Sequence, residues 1–334
     1  MSDDHLRDGD EKEALLESIL RRIAILELDL GGREVVTEAA TGAYAATAVI
    51  AALAGAKVHA CSRDTARHGT ARDAIEATRE LANFAGVDHR ITFSLGVPDA
   101  ALWRCDILTN SGRLRPITAT HVRLLPKTAV IALMFEDWEF RAGDIDIEAC
   151  RDRGIKVAAV NERHPAVAVF PFLGPLCVVQ LADAGINVEG RSVALLCDNP
   201  FAPHLAEGLN RAGAEVTLFD RPEKFAPGDW AAVVVALRPR DDDVLGAAEL
   251  NVIARQAPHV PLTQFWGDLD RQAANELGIR VWPPTPPSRG HMGILLSRLG
   301  SEPIVRLQSG GLKAAEIVFS GREPEAGGVA SLLR

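Results

Sequence analysis

Apolar and polar positions follow two rhythms along this chain. Between Glu11 and Leu30, the residues Leu15, Leu16, Ile19, Leu20, Ile23, Leu26 and Leu30 recur at spacings of three and four, the repeat of a helix with one apolar face. Such a face suits packing on the domain that follows, or a dimer contact; residues 1–10 before it read as a frayed tail. Beyond residue 30, short β-branched and aliphatic runs alternate with helical stretches. Strands are predicted at 35–37, 56–61, 90–94, 105–109, 129–134 and 155–160, with helices at 43–54, 65–85 and 146–153. Residues 164–185 are the most apolar stretch, interrupted by Pro165, Pro171, Gly174 and Pro175, and read as a crossover that is helical from Leu173. The alternation then resumes, with strands at 193–197, 215–219, 231–237, 260–265 and 279–282 and helices at 203–211 and 246–256. A last helix is expected to open at Gly290-His291-Met292-Gly293.

The second half repeats the first. Gly32-Arg33-Glu34-Val35-Val36 leads through Gly55-Ala56-Lys57-Val58 to Ser62-Arg63-Asp64; Gly190-Arg191-Ser192-Val193-Ala194 leads through Gly213-Ala214-Glu215-Val216 to Asp220-Arg221, displaced by 158 residues at each landmark. Each copy reads as strand, turn, helix and strand, the first βαβ of a Rossmann-like domain. The expected class is α/β, with two tandem Rossmann-like, doubly wound parallel-sheet domains and an N-terminal helix. Residues 1–30 form the tail and amphipathic helix, 31–164 the first domain, 165–189 the crossover helix, 190–320 the second domain and 321–334 a mobile tail. A ligand is expected in a cleft between the domains.

Composition narrows the function classes. A chain of 334 residues, 47% hydrophobic and 24% charged, has the material for two cores. A net charge of −9 argues against nucleic acid and anionic membranes, which reward clustered Lys and Arg. No apolar run reaches the roughly 18–20 residues of a membrane span, and the acidic start is unlike a signal peptide. The five cysteines (61, 105, 150, 177 and 197) form no Cys-x-x-Cys pair, and no His/Asp/Glu spacing suggests a metal site. A reduced, cytoplasmic protein is expected.

A dinucleotide site needs glycines in the first βα turn, where the backbone approaches the pyrophosphate at a helix N-terminus. The turn Thr37-Glu38-Ala39-Ala40-Thr41-Gly42-Ala43-Tyr44-Ala45 resembles that of short-chain dehydrogenases with only the middle glycine kept; Glu38 stands where a carboxylate would repel a pyrophosphate. Ser62-Arg63 resembles the signature of enzymes preferring NADP, which accommodates the 2′-phosphate. In the second copy Asp220 stands where the adenosine ribose is held, but Cys197-Asp198-Asn199-Pro200-Phe201 contains no glycine. The first copy, with Glu38, Thr41, Gly42, Ser62 and Arg63, is the expected cofactor site for NADP or NAD. Val36–Gly42 also resembles motif I of class I methyltransferases, with Glu38 in its acidic slot, and Gly86–Phe93 resembles the segment before their fourth strand. That keeps S-adenosylmethionine open as the alternative cofactor.

From Ile107 to about Asp270 the chain resembles the D-2-hydroxyacid dehydrogenases. Ile117-Thr118, Leu125-Pro126 and Val130-Ile131 match the approach to the family's fifth strand. Gly143-Asp144-Ile145-Asp146-Ile147-Glu148-Ala149-Cys150 matches its "D-x-I-D-x-x-A-A", Arg153-Gly154-Ile155-Lys156-Val157 with Asn161 its "R-G-I-x-V-x-N", and Ala166-Val167-Ala168 its crossover. The resemblance implies a two-domain dehydrogenase scaffold with Gly190–Asp220 as the cofactor βαβ. The departures bear on activity: the nucleotide glycines are missing at 197–203, and Trp266 in Gln264-Phe265-Trp266-Gly267 replaces the catalytic arginine of "N-x-A-R-G".

Three strand-end loops carry candidate chemistry. Glu136-Asp137-Trp138-Glu139-Phe140-Arg141 offers a base in Glu136 or Glu139 and an anion clamp in Arg141. Asn161-Glu162-Arg163-His164 offers His164 as general acid/base. Asn110-Ser111-Gly112-Arg113-Leu114-Arg115 offers an anion site. Catalytic candidates are thus His164, Glu136, Arg141 and, in its glycine-flanked turn, His291; substrate-binding candidates are Ser111, Arg113, Arg115 and Asn161. The leading expectation is an NAD(P)-linked oxidoreductase acting on a small anionic metabolite, as a homodimer. The alternatives are a methyltransferase-like enzyme and a catalytically silent nucleotide- or metabolite-binding scaffold.

Overall fold

The computed structural model describes residues 2–66, 69–239 and 245–333. The chain divides into two compact units, Met1–Val169 with Gly300–Arg334, and Phe170–Leu299. The first opens with α1 (Ser2–Leu26), so the expected frayed tail is helical from Ser2. There follow β1 (Glu34–Glu38), α2 (Ala46–Leu53), β2 (Lys57–Ser62), α3 (Ala71–Phe84), β3 (Ile91–Leu95), α4 (Asp99–Leu102), β4 (Ile107–Thr109), α5 (Ala119–Leu124), β5 (Val130–Ala132), α6 (Ile147–Arg153) and β6 (Lys156–Val160). The six strands are parallel and lie in the order β6-β5-β4-β1-β2-β3. Read from the other edge this is 3-2-1-4-5-6, the order of dinucleotide-binding sheets.

The local sequence explains these elements. The central strands β4 and β5 are buried at every position, as strands covered by helices on both faces must be. The Thr70 hydroxyl caps α3 by accepting from the Asp73 amide at 3.1 Å, and Asp146 caps α6 by accepting from the Ala149 amide at 3.0 Å. Gly154 ends α6 at φ +70°, a left-handed conformation that glycine adopts without a Cβ penalty. The helix expected at 43–54 starts with a tight 3₁₀ turn, Gly42–Ala45, before α2.

The second unit comprises α7 (Leu173–Asp183), β7 (Ser192–Leu196), α8 (Ala202–Arg211), β8 (Glu215–Phe219), β9 (Trp230–Ala236), α9 (Ala247–Gln256), β10 (Leu262–Trp266), α10 (Arg271–Glu276) and β11 (Val281–Trp282). Its strands, all parallel, lie in the order β11-β10-β9-β7-β8. The helices α7 and α8 cross at Gly174 and Gly208, where a Cβ on either residue would collide with the other helix's backbone. Gly290–Gly293 does not open a helix. Its Gly293 amide donates to the Phe265 carbonyl at 2.9 Å, and a side chain there would run into the Gln264 carbonyl.

The last helix, α11 (Glu302–Phe319), and the strand β12 (Ala330–Leu332) return to the first unit. The second unit therefore closes at Leu299 and not at 320, because the apolar face of α11 is buried on β5, β6, α1 and α2. Gly310 and Gly311 permit that approach, facing Val160, Val167 and Met134. The tail expected to be mobile ends in β12, which pairs antiparallel with β6. On α1, Ile19 and Leu26 are buried, whereas Leu20 stays 49% exposed.

Candidate active site

Sequence order in the first sheet reverses between β1 and β4, and open α/β sheets bind ligands at the carboxyl ends flanking such a switch. Here the two strand ends are stitched together. The Thr37 and Thr109 hydroxyls lie 2.8 Å apart, and Thr109 meets Ser111 at 2.7 Å. Glu38, only 6% exposed, accepts the Arg113 amide at 2.9 Å. Burial raises its pKa above the ordinary carboxylate value against the opposing pull of that amide and of Arg115 and Arg113. Glu38 is thus a brace between two loops, turned into the protein. Its carboxylate, which the pyrophosphate and methyltransferase readings both turned on, is spent on the Arg113 amide.

Thr41 and Gly42 are exposed at the start of the 3₁₀ turn, Gly42 with φ +59° and no atom within 4 Å of where a Cβ would sit. Ser62 is buried, and its hydroxyl has no hydrogen-bond partner among the described residues. Arg63 is exposed but anchored, donating from Nε to the Arg113 carbonyl at 3.1 Å and from Nη2 to the Arg115 carbonyl. Arg113 is itself buried, its Nη1 donating to the carbonyls of Arg63 at 2.8 Å, Thr70 at 3.3 Å and Gly69 at 3.4 Å. The Arg113 guanidinium holds loop carbonyls together, and the Ser111 hydroxyl is engaged with that of Thr109.

Arg115 and Arg141 are different. Arg115 donates from Nη2 and Nε to the Asn110 carbonyl at 2.7 and 3.1 Å and lies 3.4 Å from Asp144. Arg141 reaches the same Asp144 oxygen at 2.7 and 3.1 Å. Both guanidiniums stack near the Phe135 ring, at 5.5 and 4.7 Å from its centre. Burial alone would raise Asp144, but Arg115 and Arg141 outweigh it and hold the carboxyl below its usual range. Two cations share one anion, so the trio by itself carries a formal surplus of one positive charge.

Beside it stand three glutamates. Glu136, 2% exposed, accepts from the Glu162 amide at 3.0 Å, from Arg163 Nε at 3.1 Å and Nη2 at 3.0 Å, and from the Trp138 indole. These four donors occupy both of its oxygens. Glu139 has an Oε1 sealed from solvent and without a hydrogen-bond partner among the described residues. Burial, and then the Glu136 charge, push its pKa up to about 8 against Arg141 and Arg163. Glu162, 6% exposed, is pushed well above the ordinary value by burial and by Glu139 and Glu136.

The remaining candidates separate. His164 is half-buried, and its Nδ1 accepts the Ala166 amide at 3.2 Å, so its neutral form carries the proton on Nε2. Asn161 donates to the carbonyls of Gly328 at 2.9 Å and Gly327 at 3.4 Å, fastening the C-terminal segment. His291 lies in the second unit, its Nδ1 3.0 Å from the Arg289 carbonyl. Asp144 and Phe135 were not singled out for the site, nor was Glu162. A usable signal existed for two of them: Phe135 immediately follows a buried strand run, and Asp144 opens the "D-x-I-D" match.

In the second unit, a cleft of about 780 Å³ is lined by Cys197, Asp198, Asn199, Pro200, Asp220, Arg221 and Glu223. It is poor in anion donors. Pro200 and Pro203 lack amide hydrogens, Asn199 occupies the Phe201 amide at 3.1 Å, and three carboxylates face one arginine. Trp266 packs 5.1 Å from Phe201, ring to ring, and its indole donates to the Gly290 carbonyl at 3.1 Å, a structural role for the residue in the arginine's place.

No protein-family model matches the chain, and no curated protein matches it. Solved structures do. A dipicolinate synthase polypeptide from Bacillus halodurans is 13% identical, with a TM-score of 0.55 over 87% of this chain and 98% of that one. Its counterpart in the dipicolinate synthase of Bacillus subtilis is 12% identical, with a TM-score of 0.57 over 88% and 99%. The TT0316 protein from Thermus thermophilus is 15% identical, with a TM-score of 0.50 over 87% and 98%. At such identities the likeness is one of fold. The class is a two-unit, Rossmann-like α/β protein, the scaffold that the dehydrogenase resemblance implied.

Proposed function

We propose that this protein is an NAD(P)-linked oxidoreductase acting on a small anionic metabolite, with its chemistry at the carboxyl edge of the first sheet. One observation carries the reading. The 3-2-1-4-5-6 order sets Thr41-Gly42 beside the switch point, and the Arg115–Asp144–Arg141 trio with its surplus positive charge stands at the same edge. Thr41 and Gly42 would hold the dinucleotide's phosphates through their amides. Arg63, exposed just beyond the end of β2, would take a 2′-phosphate. The nicotinamide would supply or accept the hydride. Arg141 and Arg115 would bind the substrate anion, and His164, through Nε2, would move the proton.

Thermal unfolding of the purified protein with NADPH, NADH and S-adenosylmethionine tests this. A ligand at 100 times its Kd stabilises by about 2.7 kcal/mol, a shift of a few degrees at this size. Stabilisation by NADPH or NADH supports the reading, and silence from both overturns it. A second reading, a binding scaffold without turnover, is favoured by Trp266 in the arginine's place; NADPH binding without turnover across a panel of 2-oxo and 2-hydroxy acids would select it.

A further inference from the structure

We propose that a recess between α6, the start of β6 and the end of β12 binds a medium-chain aliphatic carboxylate, at the opposite end of the first sheet from the candidate active site. The recess holds about 270 Å³, just below the roughly 300–1,000 Å³ of sites that take drug-sized ligands. Its walls are apolar: Ile147 and Cys150 from α6, Ile155 and Val157 around the start of β6, and Leu332 and Leu333 at the end of β12. Ile147, Leu332 and Leu333 are only half-buried. Burial pushes the Cys150 thiol up to about 11, so it stays a neutral part of the wall. β12 extends the sheet by one antiparallel strand on which α11 packs. Beside α6, which stops at Gly154, the end of that strand borders the open recess.

The rim selects the ligand's charge. Arg151 and Lys156 line the recess and no carboxylate among the described residues does, in a chain whose net charge is −9. Lys156 is exposed and makes no ion pair or side-chain hydrogen bond among the described residues. Arg151 pairs with Glu148 in an exposed contact that water screens, so little is lost when it turns to a ligand. The carbonyl end of α6 also lies here, and Arg151 and Arg153 in its last turn offset that partial negative charge. A carboxylate at the rim meets cationic donors, while its alkyl chain covers the half-buried side chains and leaves water. A cationic ligand would be repelled, and a sugar-like one would press unsatisfied hydroxyls on apolar walls. A folded protein partner needs a far larger surface than one small recess offers.

Calorimetric titration of the full-length protein with butanoate, hexanoate, octanoate, octanol and octylammonium tests the site. Octanoate should bind saturably, about tenfold or more tighter than octanol or octylammonium, as a charge-assisted contact would give. Affinity should rise about fourfold per methylene from butanoate upward, as each is taken out of water. Lys156→Glu, at the exposed first position of β6, should weaken octanoate about tenfold or more and leave octanol unaltered. Lys156→Arg should keep the parent affinity. Leu333→Asn should flatten the chain-length series while preserving the preference for a carboxylate. Thermal unfolding of each variant checks the fold; should Leu333→Asn prove unstable, the chain-length series and the two Lys156 variants decide alone. No saturable binding of octanoate, equal affinity for octanoate and octylammonium, or an affinity that Lys156→Glu leaves unaltered overturns the proposal.

Discussion

The two copies of the repeated βαβ begin with the same spacing and end in unlike edges. After β1 the chain dives inward: Glu38 is buried against the Arg113 amide, and the loops following β1, β2 and β4 are tied by Arg63 and Arg113. After β7 it stays open, with Asp198 and Asp220 on a solvent-facing cleft and prolines where amides would serve a phosphate. The first edge holds fixed charges in a partly dry setting, where they act strongly on a ligand. The second holds exposed charges that water screens. A shared local pattern thus builds a shared strand–helix–strand, while the residues packed behind it decide whether the edge can do chemistry.

The largest expected effect would break the first edge. Glu136→Ala leaves the Trp138 indole and the Glu162 amide without their acceptor, and should cost about 2–4 kcal/mol in urea unfolding. A loss below about 0.5 kcal/mol would remove Glu136 from the scaffold. Glu38→Ala, which strips the Arg113 amide of its acceptor, should cost about 1–3 kcal/mol without creating or destroying affinity for S-adenosylmethionine. A selective loss of that affinity would restore the methyltransferase reading.

A pH series sharpens the contrast. Glu139 and Glu162 hold their protons more tightly folded than unfolded, so the native state carries extra protons above the ordinary value of 4.5. Their contribution is fully present below that value and is lost as pH rises through their raised folded values, about 8 for Glu139. Urea midpoints should therefore fall from pH 5 to pH 8, and the combined Glu139→Gln and Glu162→Gln substitution should flatten that fall; an unchanged slope would exclude the pair as its source. Smaller still, His164→Ala should leave the unfolding midpoint near that of the parent while lowering turnover of whichever substrate is found. Unaltered turnover would end its role in proton transfer. The smallest effect is expected in the second unit, where Asp220 is exposed and paired with Lys224 at 2.9 Å. Asp220→Asn should change neither the unfolding midpoint nor NADPH stabilisation, and loss of the NADPH shift would move the nucleotide to the second unit.

Much of the architecture was legible along the chain because its causes are local. Strand periodicity, the capping residues Thr70 and Asp146, the left-handed turn at Gly154 and the repeat at 158 residues all act over short spans, and the predicted strands lie within a few residues of those observed. The helix start at Leu173 was readable for the same reason. What the chain did not reveal depends on partners far away in sequence. That the last helix belongs to the first unit follows from the fit of Gly310 and Gly311 against Val160 and Met134. That residues 330–332 form a strand follows from the open edge of β6. The candidate site divides the same way: sequence reasoning located its loops at the ends of β4, β5 and β6, since strand ends are a local property. Only packing distinguished Arg113 from Arg115, or Glu136 from Glu139. These are like residues a few positions apart, and their roles are set by which ones are buried against carbonyls, amides or indoles and which are left wanting a partner.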